Sequence, residues 1–392
     1  MNNHIMPTYQ RLPVAFEKGD GAWLWDDANN RYLDALSGIA VCNLGHAHPA
    51  IHHALMAQSA KLIHTSNIYR NSIQEHLADR LIEKSAMDNV FFCNSGAEAN
   101  EAAIKIARKY GHERGIEVPA IIVMEKSFHG RTLATLSATG NIKVQQGFAP
   151  LVDGFVRVPY NNISAIEDAL THNPSIVAVL VEPIQGEGGI NIPEPDYLNQ
   201  LRNLCDKHQL LMMLDEIQSG IGRTGKFLAH QHSTSIPDVC TLAKALGNGV
   251  PIGACLARGK AAEILTAGTH GSTFGGNPLA CSAALAVLTT LDKEDLISSA
   301  TTKGDLICAG FSEKLKNNQH VVDIRHIGLM IGIELDCPCA ELVKMALHQH
   351  LLINVTNDTV IRLLPPLIIN DEQIHLLVNQ LTTLIYEFTH TL

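Results

Sequence analysis

Basic residues are scarce in this chain. Its 392 residues hold 29 Lys+Arg against 39 Asp+Glu, for a formal net charge of −10, and only 17% of positions are charged. No surplus of cations exists to neutralise phosphates, which excludes nucleic acid or an anionic membrane as the main partner. The opening residues, MNNHIMPTYQR, have no basic start followed by an apolar run, so no signal peptide is expected. The longest stretch free of Asp, Glu, Lys and Arg, Ile264 to Leu291, is broken by Gly268, Gly271, Gly275, Gly276 and Pro278, and cannot form one membrane helix. No repeat or low-complexity tract occurs. The composition excludes collagen, coiled coil and intrinsic disorder.

Nine cysteines are present, at 42, 93, 205, 240, 255, 281, 308, 337 and 339, with no CxxC spacing. An odd, scattered set reads as reduced, mostly buried thiols in a cytoplasmic protein. Cys337-Pro338-Cys339 reads as a loop with two free thiols. The pairs His46/His48, His230/His232 and His348/His350 lack a third ligand at metal spacing, so no metal is expected. A chain of this length buries about 75% of its unfolded surface and needs no such staple.

What is there is hydrophobic alternation. Short apolar runs at Val90–Phe92, Ala120–Met124, Ile176–Val181, Leu210–Leu214, Val239–Leu242 and Ile252–Ala257 read as strands. Helical patterns at Ala97–Tyr110, Ile163–Thr171, Asp196–His208 and Pro278–Leu291 lie between or beside them. Strands alternating with helices predict an α/β fold: a mostly parallel sheet covered by helices. The ends read as α+β, with strands at Ala22–Trp25, Tyr32–Ala35, Val321–Ile324, Leu329–Leu335 and Val360–Leu364. Helices there are predicted over Ala340–His350 and Asp371–Thr389. The expected organisation is a large domain over residues 61–288, and a small domain built from residues 1–60 and 289–392.

Three local features carry chemistry. Asn94–Glu101 follows a strand and opens a helix; Ser95 and Glu98 form a capping box, and Gly96 and Ala97 leave the first-turn amides accessible to a phosphate. An ordinary helix cap would look the same. Asp215 ends the apolar run Leu210–Leu214, at the strand end where α/β sheets bind ligands. It could ligate a metal, hold a protonated ring nitrogen, or simply cap a helix. Lys244 ends the run Val239–Leu242 and precedes Gly247 and Gly249. A lysine at the edge of a core is suited to Schiff-base chemistry, although a surface lysine is commoner. A phosphate cradle, a strand-end acid and a strand-end lysine together match the needs of pyridoxal phosphate.

The chain resembles the class III (subgroup II) aminotransferases, fold type I pyridoxal phosphate enzymes, and within them the acetylornithine branch. The likeness lies in Gly45-His46-Ala47-His48-Pro49, Asn94–Glu101, Ser127–Thr132, Glu182–Gly189, Leu214–Gly225, Leu242–Gly249, Gly271–Ala280 and Arg362–Leu367, covering almost the whole chain. The resemblance implies Lys244 as the Schiff-base lysine and proton shuttle, and Asp215 as the acid on the ring nitrogen. It implies cofactor contacts at Ser95, Gly96, Ala97, Phe128, Glu216, Ile217 and Gln218, with Phe128 stacking on the ring. Thr273 completes the phosphate site of the partner subunit in a homodimer. Substrate contacts fall to Arg131, Ser272 and Arg362, with Glu187 as the switchable partner of Arg362. Substrates would be small amino donors and 2-oxoglutarate. Ile39 stands where transaminases for free ornithine place a tyrosine, which favours acylated ornithines. Succinylornithine, 4-aminobutyrate or a broad ω-amino range remain the alternatives.

Overall fold

The computed structural model describes residues 4–390. It opens with an antiparallel meander of β1 (Phe16–Asp20), β2 (Trp23–Asp26) and β3 (Arg31–Asp34). Asp26 shapes the β2–β3 turn by accepting the N–H groups of Ala28 at 3.0 Å and Asn30 at 2.7 Å, an Asx-type turn.

The central sheet comprises β4 (Asn89–Cys93), β5 (Ala120–Met124), β6 (Phe155–Val158), β7 (Ile176–Val181), β8 (Leu211–Asp215), β9 (Val239–Leu242) and β10 (Gly253–Ala257). Their order is β4-β10-β9-β8-β7-β5-β6. From β9 to β6 all neighbours are parallel, while β10 runs antiparallel to both β4 and β9. The reversal follows from chain length: a parallel return needs a crossover of about a dozen residues or more, and the link after β9 is shorter. β5, β7, β8, β9 and β10 are buried along their whole length, as expected of strands covered on both faces.

The helix Gly96–Glu113 lies on this sheet through Ala99, Ala102, Ala103, Ile104, Ile106 and Ala107, all buried. Its small side chains allow close approach. The helices Ile163–His172, Tyr197–His208 and Pro278–Lys293 also match the periodicity within two residues. The helix Leu296–Leu315 was not read from the sequence, because Ser, Thr and two glycines blur its pattern. One of those glycines is required: a Cβ at Gly304 would lie 2.0 Å from the Gly328 carbonyl oxygen.

At the C-terminal end β11 (Val321–Ile327), β12 (Met330–Leu335), β14 (Asn354–Thr356) and β15 (Val360–Leu363) form an antiparallel sheet in the order β11-β12-β15-β14. The two-residue strand β13 (Leu351–Leu352) leaves it to pair in parallel with β3. The two ends of the chain therefore meet. His46 serves this junction: its Nε2 lies 2.7 Å from Asp34 Oδ2, and Asp34 Oδ1 accepts the N–H groups of Leu36 and Ser37 at 2.9 and 2.8 Å. Burial pulls His46 down, but the hydrogen bond to Asp34 overrides it and holds the imidazole up to about 9.

A buried guanidinium ties these parts together. Arg223, in the loop after β8, donates to the carbonyls of Leu329 at 2.9 Å and Pro365 at 2.5 Å, to Ser37 Oγ at 3.4 Å and to Asn43 Oδ1. Burial lowers its pKa to about 9, against the pull of Asp34. Removing the guanidinium strands several buried acceptors at once, each costing about 1–3 kcal/mol. Arg223→Leu is therefore expected to destabilise the fold by about 3–5 kcal/mol in urea denaturation. A loss below about 1 kcal/mol would show that the junction does not depend on it.

Candidate active site

A cavity of about 410 Å³ opens at the carboxyl ends of β8 and β9, the end of an α/β sheet where ligands bind. Asn94 to Ala97, Phe128 to Arg131, Asp215, Ile217, Gln218 and Lys244 all line it, so chain segments 150 residues apart converge there.

Lys244 opens a single 3-10 turn, Lys244–Leu246, directly after β9, with φ at +46°. A left-handed lysine is strained, and such strain persists only where neighbours hold it. Gly247 is part of that hold, since a Cβ there would lie 2.0 Å from the Val250 carbonyl oxygen. Burial brings the amine down to about 8; the Arg362 charge adds to this, while Glu187, Asp215 and Glu182 oppose it. A substantial neutral fraction near pH 8 is what a nucleophilic amine requires.

Asp215 is the last residue of β8 and is buried. Asn100 Nδ2 donates to its Oδ2 at 2.8 Å, His129 Nδ1 lies 2.8 Å from the same oxygen, and Ile217 N–H donates to Oδ1 at 3.1 Å. An ionised carboxylate only accepts, so this pairing places the His129 proton on Nδ1. Asn100 is fixed in turn: its Nδ2 also donates to the His129 carbonyl at 2.8 Å, and its Oδ1 accepts Thr241 Oγ1 at 2.7 Å. Glu182, also on the cavity wall, accepts the N–H groups of Phe128 at 2.6 Å and Gly186 at 3.0 Å. Burial raises its carboxyl to about 7, helped by Asp215 and opposed by His129.

Across the cavity the helix Gly96–Glu113 begins. Ser95 caps it, its Oγ accepting Glu98 N–H at 3.2 Å. The return leg of the capping box is displaced by one residue: the Glu98 carboxylate accepts Asn94 N–H at 2.8 Å rather than that of Ser95. Among the described residues the amides of Gly96 and Ala97 donate to nothing. Gly96 also faces Ile217, whose Cδ1 would lie 2.8 Å from an added Cβ.

The two arginines differ in state. Arg131 is exposed at the cavity, 5.7 Å over the Phe128 ring, and forms no ion pair among the described residues. Arg362, on β15, is buried and pairs with Glu187 at 2.6 Å, while its Nε donates to Asn354 Oδ1 at 3.0 Å. Gln218 Oε1 stands 3.4 Å from the same guanidinium. Burial would raise Glu187, but Arg362 outweighs it and its carboxyl lies below the ordinary value. Arg362 is therefore screened from the cavity by Glu187.

Four expected residues stand apart. Glu216 is fully buried and turned away, its carboxylate accepting from Ser219 Oγ, Ala229 N–H and His230 N–H; this corrects its place among the cofactor contacts. Successive side chains at a strand end point to opposite sides, so Asp215 lines the cavity and Glu216 does not. Ser272 is one layer out, accepting Asn94 Nδ2 at 3.2 Å. Thr273 is exposed and does not line this chain's own cavity. Ile39 packs against the apolar cluster around Ile184 and Met330, and Val41 takes its place on the wall. Conversely, Asn100, His129, Glu182 and Thr241 were missed. Asn100 left a trace: a polar residue within the alanine face of an amphipathic helix.

The model of the aminotransferase class-III family matches residues 5–385. The chain belongs to the class III aminotransferases. It is 57% identical to the acetylornithine aminotransferase of Nitrosomonas europaea over 386 residues, 98% of each chain. It is 47% identical to that of Methanocaldococcus jannaschii, covering 95% of this chain and 94% of the relative. The ornithine aminotransferase of Toxoplasma gondii superposes with a TM-score of 0.95 at 34% identity, over 99% of this chain and 94% of the other. The acetylornithine aminotransferase of Elizabethkingia anophelis gives 0.87 at 36%, over 98% and 96%. Another structure of the Toxoplasma enzyme shows partial occupancy of PLP at its active site.

Class III aminotransferases work with pyridoxal phosphate, and the residues here fit it. Gly96 and Ala97 offer two free amides to a phosphate, Asp215 offers a pinned carboxylate to a pyridinium, and Lys244 offers an amine to an aldehyde. Covalent uptake requires the neutral amine, so the rate at which apoprotein takes up pyridoxal phosphate is expected to rise with pH through about 8. Stopped-flow absorbance measures this; a rate that is flat between pH 7 and 9 contradicts it.

Proposed function

We propose that the chain is an acetylornithine aminotransferase. It transfers the δ-amino group of N2-acetyl-L-ornithine to 2-oxoglutarate, giving N-acetyl-L-glutamate 5-semialdehyde and L-glutamate in two half-reactions, a step of arginine biosynthesis. The observation that carries this reading is the pairing state of the two arginines: Arg131 open at the cavity, Arg362 held behind Glu187.

Bound pyridoxal phosphate supplies an aldehyde that condenses with amines and a ring that accepts the electron pair released at carbon. The protein's residues do the rest. Gly96 and Ala97 hold the phosphate through their amides. Asp215 keeps a proton on the ring nitrogen, and Asn100 and His129 keep Asp215 aimed. Phe128, on the cavity wall, would lie against the ring. Lys244 Nζ would take the proton from the substrate carbon that bears the amine and deliver it to the cofactor carbon that supplied the aldehyde; a pKa of about 8 suits both directions.

Selectivity follows from charge balance. Arg131 grips the carboxylate remote from the reacting carbon bidentately, the α-carboxylate of acetylornithine or the γ-carboxylate of glutamate. With a donor that brings no second carboxylate to that end, Glu187 stays on Arg362 and no buried charge is stranded, which would cost about 3–5 kcal/mol. When glutamate or 2-oxoglutarate enters, its second carboxylate replaces Glu187. Among the described residues the wall has no tyrosine; Val41 supplies an apolar surface where an ammonium would go unpaired. That favours an acylated α-amine over free ornithine.

The reading includes a homodimer in which Thr273 reaches the partner's phosphate site. In support, Thr273 is exposed beside Phe274, 60% exposed, and near Ile68 and Tyr69, 79% and 66% exposed. Asn67 pins these segments together by donating to the carbonyls of Ser272 and Gly275. Apolar surface of this kind marks an interface. The reading also includes a cytoplasmic location, supported by nine cysteines that are all free; no described helix is long and apolar enough to cross a membrane.

The test is a donor panel with 2-oxoglutarate as acceptor. Acetylornithine is expected to exceed ornithine, 4-aminobutyrate and succinyldiaminopimelate in kcat/KM by about tenfold or more. A tenfold preference for any of the others sinks the assignment. A second check is Thr273→Ala, which should weaken cofactor retention on dialysis by about tenfold while leaving the fold intact by circular dichroism.

A further inference from the structure

The small sheet carries a row of four residues directly opposite one another on successive strands. Arg325 on β11 faces Gly332 on β12, Gly332 faces Arg362 on β15, and Arg362 faces Asn354 on β14. Opposed residues share one face of a sheet. Two arginines therefore flank a glycine on one surface, and the segment Gly186–Ile190 lies across it.

The two arginines of the row hold different parts of that segment. Arg362 holds the Glu187 carboxylate at 2.6 Å. Arg325 Nε donates to the Ile190 carbonyl at 2.8 Å, and its NH2 group to the Gly189 carbonyl at 2.5 Å. Gly332 makes room: a Cβ there would lie 3.1 Å from Ile190 Cβ. From β14, Thr356 Oγ1 donates to the Glu187 carbonyl. Arg325 is not itself open to a substrate, because its NH1 group is taken by Asp323 at 2.8 Å and Glu334 at 2.6 Å.

The backbone records the hold. Ile190 is fully buried with φ at +54°, an outlier for a β-branched residue. Strain of this kind survives only where the surroundings over-determine it.

We propose that Arg325 and Gly332 are positioning residues for the Glu187 gate: they fix the backbone of Gly186–Ile190 on the small sheet, so that the Glu187 side chain alone moves when Arg362 changes partner. The proposal rests on the gate described under the proposed function. Its consequence is directional. Pre-placing Glu187 favours the closed state, which the monocarboxylate donor needs. The dicarboxylate state, with Arg362 taken by substrate, does not need Glu187 in place. Loosening the segment harms the first and eases the second.

The experiment uses holoenzyme carrying Arg325→Gln, with Gly332→Ala as the variant to read if the first does not fold. KM for the amino donor is expected to rise about tenfold, while KM for 2-oxoglutarate falls by up to about fivefold. Affinity for glutarate, an unreactive five-carbon dicarboxylate, is expected to increase about fivefold by calorimetry. Arg325→Lys, which keeps one carbonyl contact, should restore part of both effects. Equal losses for the two substrates with unchanged glutarate affinity overturn the proposal. Glu187→Gln is the separate control: if it leaves glutarate affinity unchanged, the gate itself is wrong, and the roles of Arg325 and Gly332 fall with it.

Discussion

A guanidinium with no carboxylate hydrogen-bonded to it sits where three parts of this chain meet. Arg223 is satisfied by carbonyls of Leu329 and Pro365 and by the side chains of Ser37 and Asn43. Its acceptors come from the N-terminal segment and the C-terminal sheet, while the arginine itself belongs to the loop that follows β8. The neighbouring contacts repeat the pattern. Ser37 Oγ donates to the Leu364 carbonyl at 2.7 Å, and Leu329 N–H returns to the Arg223 carbonyl at 3.0 Å. This matters for chemistry because Arg362 and Glu187 lie on opposite sides of the same junction. A cavity built between a central sheet and a small sheet keeps its geometry only if the two are held in register, and a buried polar network specifies one arrangement where apolar packing tolerates several.

The acidity of the chain gains meaning at the site. A net charge of −10 is unhelpful for binding carboxylates and a phosphate unless cations are concentrated locally. Here Lys244, Arg362 and Arg131 gather at one cavity, and two of the three are buried enough for their charge to act through a low dielectric. Glu187 prevents mutual repulsion: it lowers the cost of Arg362 and at the same time supports the charge of Lys244. Asp215, Glu182 and Glu187 together counter the cations, so the pocket is a balanced ion cluster rather than a basic patch. In the proposed function, substrate carboxylates enter by substitution within that cluster.

Much of this was legible in the residues, for identifiable reasons. β5 and β7 coincide with their apolar runs residue for residue, and the helix Asp371–Thr389 does the same, since long strongly patterned segments leave little choice. Lys244, Asp215 and Gly96 could be singled out because each ends a strand or opens a helix at the edge of an α/β sheet where ligands bind, and because the three together match one cofactor. Glu216 was misplaced because adjacency in sequence hides the alternation of side chains. Asn100, His129 and Thr241 were missed for a deeper reason: Asn100 and His129 reach Asp215, and Thr241 reaches Asn100, only through the fold, from a helix, a loop and the strand β9. The reversal of β10 is likewise a property of connection length and not of the strand's own residues.

The same distinction explains why the gate could be anticipated but its support could not. Glu187 and Arg362 lie in two separate motifs, and the family resemblance implies their pairing. The register that puts Arg325, Gly332 and Arg362 in one row exists only once three strands are aligned. A slip of one residue in β12 would turn Gly332 away and present Ile331 or Ile333 to the segment instead. The space that admits Ile190 would close, and Glu187 would lose the backbone from which it reaches Arg362. The proposed dual specificity is therefore a matter of strand register as much as of the two charged residues assigned to it.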